Sequence, residues 1–162
     1  MIVQAYHGSS HKFDEFSFKK MGKSSGNSGA GFGLYFSDIK ADALGYGDYI
    51  YTCRLELENN VSNESITFDK KMLLLFLDKL NFTEDKNKFT IHLLNDFKTD
   101  TEIIAEIVKT IGNGNIVFEI LSGYGYDHTI DHNSPELEHS THYIVYALDA
   151  IEIVKRETLD DI

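Results

Sequence analysis

The sequence predicts an α+β fold, and three observations predict it. Over residues 49–57, Tyr49, Tyr51, Cys53, Leu55 and Leu57 fall on one face while Thr52, Arg54 and Glu56 fall on the other, the two-residue period of a half-buried strand. The middle of the chain instead carries apolar residues at helical spacing, and the last part returns to two β-rich runs, Tyr143–Leu148 and Ile151–Val154. Strands at both ends with helices between them give α+β rather than an alternating α/β order. At 162 residues the chain is read as one domain, 1–162, with a helical insertion over about 66–122.

Taken in order, Ile2–Tyr6 reads as a short strand running into a loop at His7–Ser10. Residues 21–33, MGKSSGNSGAGFG, form a small-residue loop whose glycines exclude a regular element. Leu34-Tyr35-Phe36 is a compact aromatic strand, Ile39–Leu44 a turn or two of helix, and Tyr49–Leu57 the alternating strand. Asp69–Leu80 is a helix with Leu73, Phe76, Leu77 and Leu80 on one stripe. The polar stretch NFTEDKNKFT that follows reads as a loop. Ile103, Ile104, Ile107, Val108 and Ile111 repeat the helical pattern, with Thr99 and Glu102 spaced as a capping box and Gly112 as the stop. Asn115–Leu121 suits either a helix or a strand, ended by Gly123 and Gly125. A strand ending at Asp131 and a polar loop with the single proline, Pro135, lead into the final β-rich runs.

Composition then bounds the function. Hydrophobic residues make up 42% and charged residues 25%, so the chain can bury a core and is not disordered by composition. The net charge of −11 argues against a general affinity for nucleic acid or an anionic membrane, although one local pocket for a nucleotide remains compatible. A single cysteine, Cys53, excludes an internal disulfide and a cysteine-based zinc site, and fits a reducing compartment. No basic segment leading into a long apolar stretch marks a secretory signal. The longest apolar run, 72–77, is too short to span a bilayer. The expectation is a cytoplasmic protein.

Several features could carry chemistry. GNSGAGFG has the composition of a phosphate cradle, but no Gly-Lys-Ser/Thr follows it, and a plain surface loop explains it as well. His128, His132, His139 and His142 cluster late in the chain; three of them could hold zinc, yet their spacings match no helical His-Glu-x-x-His arrangement. Exposed or cleft-lining histidines explain them equally. Asp127, Asp131, Glu136 and Glu138 share this stretch, where most acids of so negative a chain simply face water.

Three short motifs change that picture: Tyr6-His7-Gly8-Ser9-Ser10, Gly33-Leu34-Tyr35-Phe36-Ser37-Asp38 leading to Ala43 and Tyr46, and His142-Tyr143-Ile144-Val145-Tyr146. In this order they resemble the split NAD-binding core of the poly(ADP-ribose) polymerase-like ADP-ribosyltransferases, the His–Tyr–Glu clan. Small phage-associated transferases, an anti-CRISPR ADP-ribosyltransferase among them, are similar in their compact arrangement. The resemblance covers about 2–60 and 125–154 and leaves the helical middle unmatched. It implies that Gly8 holds the nicotinamide carboxamide through its backbone, an approach that lack of a Cβ permits. It implies that His7 bonds the adenosine ribose hydroxyls, with Ser9 beside it in the same motif, and that Tyr35 and Tyr46 stack on the nicotinamide ring. Ordinary core packing is the competing explanation for the two tyrosines.

One position departs from the family. Its acid directly precedes the Tyr-Ile-Val-Tyr run, and here that place is His142. Cleavage of the N-glycosidic bond develops positive charge on the ribose, which a carboxylate stabilises and a neutral imidazole does not. Either transfer is impaired or a nearby acid substitutes, with Asp131 first, then Glu138 and Glu136. The resemblance therefore implies an NAD-dependent mono-ADP-ribosyltransferase acting on a protein acceptor, such as an effector, toxin or phage-type inhibitor. The alternatives are a non-catalytic module of that fold, binding NAD, ADP-ribose or a protein, and an NAD glycohydrolase.

Overall fold

A computed structural model describes residues 1–18, 33–131 and 140–161. In chain order the elements are β1 (Ile2–Ser9), β2 (Leu34–Ser37), α1 (Lys40–Ala43) with a 3-10 turn at Leu44–Tyr46, β3 (Tyr49–Glu56), then four helices, α2 (Lys70–Lys79), α3 (Lys86–Asp96), α4 (Asp100–Ile111) and α5 (Gly114–Gly123). Three strands close the chain: β4 (His128–Asp131), β5 (His142–Val145) and, after a 3-10 turn at Leu148–Ala150, β6 (Ile151–Thr158). The fold is α+β. The strands form one antiparallel sheet in the order β4-β5-β2-β1-β3-β6.

Register sorts the side chains onto two faces. His7 pairs with Tyr51, Ala5 with Cys53, and Phe36 with Tyr143. Ala5, Phe36, Tyr51, Cys53 and Tyr143 merge with Leu73, Phe76, Leu93, Ile103, Ile107, Val117 and Phe118 into one apolar core, with His7 on the same face of the sheet. On the other face, Asp131, His142, Ser37, Tyr6 and Thr52 form a continuous row across five strands. Directly opposed residues share a face in an antiparallel sheet, so this polar row lies opposite the core.

The helices begin where the sequence supplies caps. Asp69 accepts from Met72 N at 2.7 Å, Asp85 from Lys88 N at 3.1 Å, and Thr99 from Glu102 N at 3.1 Å. Each bond satisfies one of the orphan N–H groups of a first turn. The expected stop of α4 is present: Gly112 takes the left-handed conformation at φ 74°. Asn113 accepts from Ile116 N at 3.4 Å, and this cap resolves the segment 115–121 as helix.

Three boundaries differ from the sequence reading. The expected loop at His7–Ser10 is strand as far as Ser9, because β3 supplies pairing partners out to Ser9↔Tyr49. The expected loop 81–90 already contains the first turn of α3, capped by Asp85, whose buried stripe is only Thr90 and Leu93. The last strand runs past Val154 to Thr158, paired with β3 as far as Tyr49. Among the described residues no helix is long and apolar enough to cross a membrane.

Candidate functional site

The three motifs, far apart in sequence, become neighbouring strands. Ser37 lies opposite His142 on one side and Tyr6 on the other, and Tyr35 lies opposite Ile144. The join between β1 and β2 is thin. All of β1 pairs with β3, but its ladder with β2 consists of the single pair Tyr6↔Ser37. Beyond that pair the strands part, and the His7 imidazole spans the gap, with Nδ1 2.6 Å from the Tyr35 carbonyl oxygen. A carbonyl only accepts, so Nδ1 carries the proton.

The His7 ring sits among Phe13, Phe16, Phe36 and Tyr51, with Phe16 edge-on at 5.0 Å between centroids. Burial among these rings lowers its pKa below the usual histidine value, opposed by the bond to Tyr35. The segment after β1 is pinned over this cage. Tyr51 Oη accepts from Phe13 N at 2.7 Å and donates to Phe13 O at 3.1 Å, while the two rings stack at 4.1 Å. Arg156 adds bonds to Phe13 O and to the Asp14 carboxylate.

Gly8 and Tyr46 meet one residue further on. A Cβ on Gly8 would stand 1.9 Å from the Ala43 carbonyl oxygen and 3.1 Å from Tyr46 Cβ. The close approach that the resemblance assigns to a ligand is thus made by α1, which glycine alone admits. Gly47, at φ 146°, turns the chain tightly against the backbone of Ser9. Ser9 Oγ accepts from His11 N at 3.0 Å, so its hydroxyl serves its own turn. Tyr46 is 52% exposed beside Gly8, and Tyr35 is half-buried at the core margin. Both rings thus keep accessible surface at the place where β1 and β2 separate.

At the other end of the polar row, His142 meets groups the sequence reading passed over. Its Nε2 lies 3.3 Å from Ser140 Oγ and 3.8 Å from Asp42 Oδ2. Ser37 Oγ donates to the same Asp42 oxygen at 2.7 Å and accepts from Ile39 N at 3.1 Å. Asp38 ties the two segments together: its N–H donates to Thr141 O and its carboxylate accepts from Thr141 N at 2.9 Å. Asp131 is the register partner of His142 on edge strand β4. Glu136, Glu138, His132 and His139 lie outside the described residues, as does most of the glycine loop. His128, far from the seam, is buried and bonded to Asp127, which also accepts from Glu58 N and Asn59 N. Among the described residues no group of three or more His, Cys, Asp or Glu side chains gathers as a metal site.

No family model and no curated protein matches this chain. Among solved structures it is similar to an anti-CRISPR protein, at 17% identity and a TM-score of 0.47, over 98% of this chain and 96% of that one. That likeness is too distant to transfer chemistry.

The sequence carried a usable signal for Asp42. On a helix it stands one turn before Tyr46, so the two share a side, and Ser37 ends the strand that feeds that helix. Asp131, Glu136 and Glu138 precede His142 in sequence, whereas Asp42 approaches it in space.

Proposed function

We propose that this chain is an NAD-dependent mono-ADP-ribosyltransferase that modifies a protein acceptor, in the manner of the small phage effectors it resembles. The observation that supports the reading most is the seam: β1, β2 and β5, which carry the three motifs, are consecutive in the sheet, and β1 parts from β2 at His7, Gly8 and Tyr35. The residues present fit NAD in part: α1 meets Gly8 and Ser9 serves its own turn, while His7 Nε2, Tyr35 and Tyr46 are the groups left for a ligand. Neutral His7 can bond ribose hydroxyls without adding positive charge. Tyr35 and Tyr46 offer partly accessible aromatic faces for a flat cationic ring. NAD supplies an activated glycosidic bond, whose electron pair leaves with nicotinamide while the acceptor bonds C1′ and releases its proton to solvent.

The test is incubation of the full chain with labelled NAD and host lysate, reading nicotinamide release, protein-bound label and intact mass. Protein labelling is expected, and Tyr35→Ala should reduce it by more than tenfold while the folded fraction stays high. A wild type that neither binds NAD nor releases nicotinamide overturns the reading. The second reading, a module that binds NAD without transferring it, is favoured by His142 standing where the family carries its acid. Binding without nicotinamide release selects it. Release without protein labelling selects the glycohydrolase.

A further inference from the structure

Within that reading, and resting on it, we infer that Asp42 supplies the carboxylate missing from position 142, with Ser37 and His142 as its positioning residues. Asp131, first choice from the sequence, lies on the edge strand, three strands from β1 in the sheet order. At roughly 4.8 Å per strand this is about 14 Å from the Gly8 end of the seam. Asp42 is placed differently. It precedes Ala43, whose carbonyl packs onto Gly8, and it reaches to 3.8 Å from the His142 imidazole. Helix α1 therefore spans the interval between the proposed nicotinamide site and the family's acid position.

The carboxylate is both oriented and left available. Oδ2 receives the Ser37 hydroxyl, which Ile39 N fixes in turn. Oδ1 makes no hydrogen bond with any described residue, and the side chain retains 13% of its surface. Lys40, on the same helix, is drawn to Glu157 at 2.7 Å, and among the described residues no lysine or arginine lies within 4.0 Å of Asp42. A fixed negative charge in a partly dry site acts strongly on positive charge developing nearby.

The experiment compares wild type, Asp42→Asn and Asp131→Asn as full chains. Calorimetry measures affinity for NAD and for NADH, whose nicotinamide ring lacks the positive charge; nicotinamide release is followed in parallel. If Asp42 is the acid, Asp42→Asn lowers the preference for NAD over NADH by about tenfold. It also lowers turnover by about 10²-fold or more with little change in KM, the mark of an interaction made mainly in the transition state. Asp42→Glu should recover part of both. Should Asp42→Asn fail to fold, Ser37→Ala decides, with an expected smaller loss of both quantities. Wild-type preference and turnover in Asp42→Asn, or in a folded Ser37→Ala, overturn the inference, as does a preference abolished by Asp131→Asn. Absence of any NAD binding by wild type brings down the transferase reading itself, and a binding protein with no Asp42 dependence brings down this inference alone.

Discussion

Two carboxylates in this molecule, both buried or nearly so, show how scaffold and site differ. Asp100, in the first turn of α4, is fully buried and accepts from Thr67 N at 2.8 Å, from Phe68 N at 3.2 Å and from the Thr67 hydroxyl. It ties the segment before α2 to the start of α4, with its hydrogen-bonding capacity turned inward. Asp42 in the sheet region accepts one hydroxyl and faces an imidazole, with one oxygen uncommitted among the described residues. A carboxylate saturated by its own chain is a strut. One held by a single donor, with its other oxygen uncommitted among the described residues, keeps hydrogen-bonding capacity in reserve.

The sharpest way to break this contrast is to remove the strut. Asp100→Ala leaves buried donors unpaired and should cost about 3–5 kcal/mol, read as a drop in the urea midpoint; on the proposed function, the fraction still folded should keep the NAD affinity measured for wild type. A midpoint shift no larger than that of Asp42→Asn would erase the distinction.

A glycine pair refines it. Gly8→Ala drives a Cβ into the Ala43 carbonyl and should destabilise by about 1–3 kcal/mol, displacing α1. Gly112→Ala meets no atom within 4 Å and strains only its φ of 74°, so about 1 kcal/mol is expected. Both are measured by chemical denaturation, and Gly8→Ala alone should disturb NAD binding.

The smallest effect is in pH. Burial holds the His7 pKa below its ordinary value, so in the window beneath about 6.5 the unfolded chain binds a proton that the folded chain does not. Stability from this source is full above that pH and falls as pH drops through the window, until the folded imidazole also titrates. His7→Gln should flatten the thermal-midpoint profile between pH 7 and 5. An unchanged slope would place the imidazole in contact with water.

The sequence revealed those parts of the fold whose signals are local. The strand at 49–56, the Thr99 cap and the Gly112 stop need only neighbouring residues and are present, although Ile50 and Thr52 are buried on the face opposite Tyr51 and Cys53, and Glu102 accepts from Lys98 N rather than Thr99 N. Helix α3 is not legible because its apolar stripe is thin: Thr90 and Leu93 are its buried residues, and Lys86, Asn87 and Lys88 open it. Strand β1 was cut short at His7 because its continuation depends on pairing with Tyr49 and Ile50, a tertiary fact. The site was legible in outline, since the motif strands carry their own residue signatures. Asp42 is legible only as a helical neighbour of Tyr46; its meeting with His142 is set by how a four-residue helix lies across the sheet.

The strand order also has a temporal consequence. Strand β2 finds its partner β5 more than a hundred residues later, and β3 finds β6 at a similar remove. During synthesis at about 5–20 residues per second, roughly 5–20 s separate the emergence of Tyr35 from that of His142. Through that interval β1 and β3 can pair and the capped helices can form, but Ser37 and Asp42 have no imidazole to meet. Contacts of such long sequence separation also form late because chain closure opposes them. The polar row is thus completed after most of the core, and a ribosome-bound chain lacking β5 has no His142 beside Asp42 even where its N-terminal motifs are already folded.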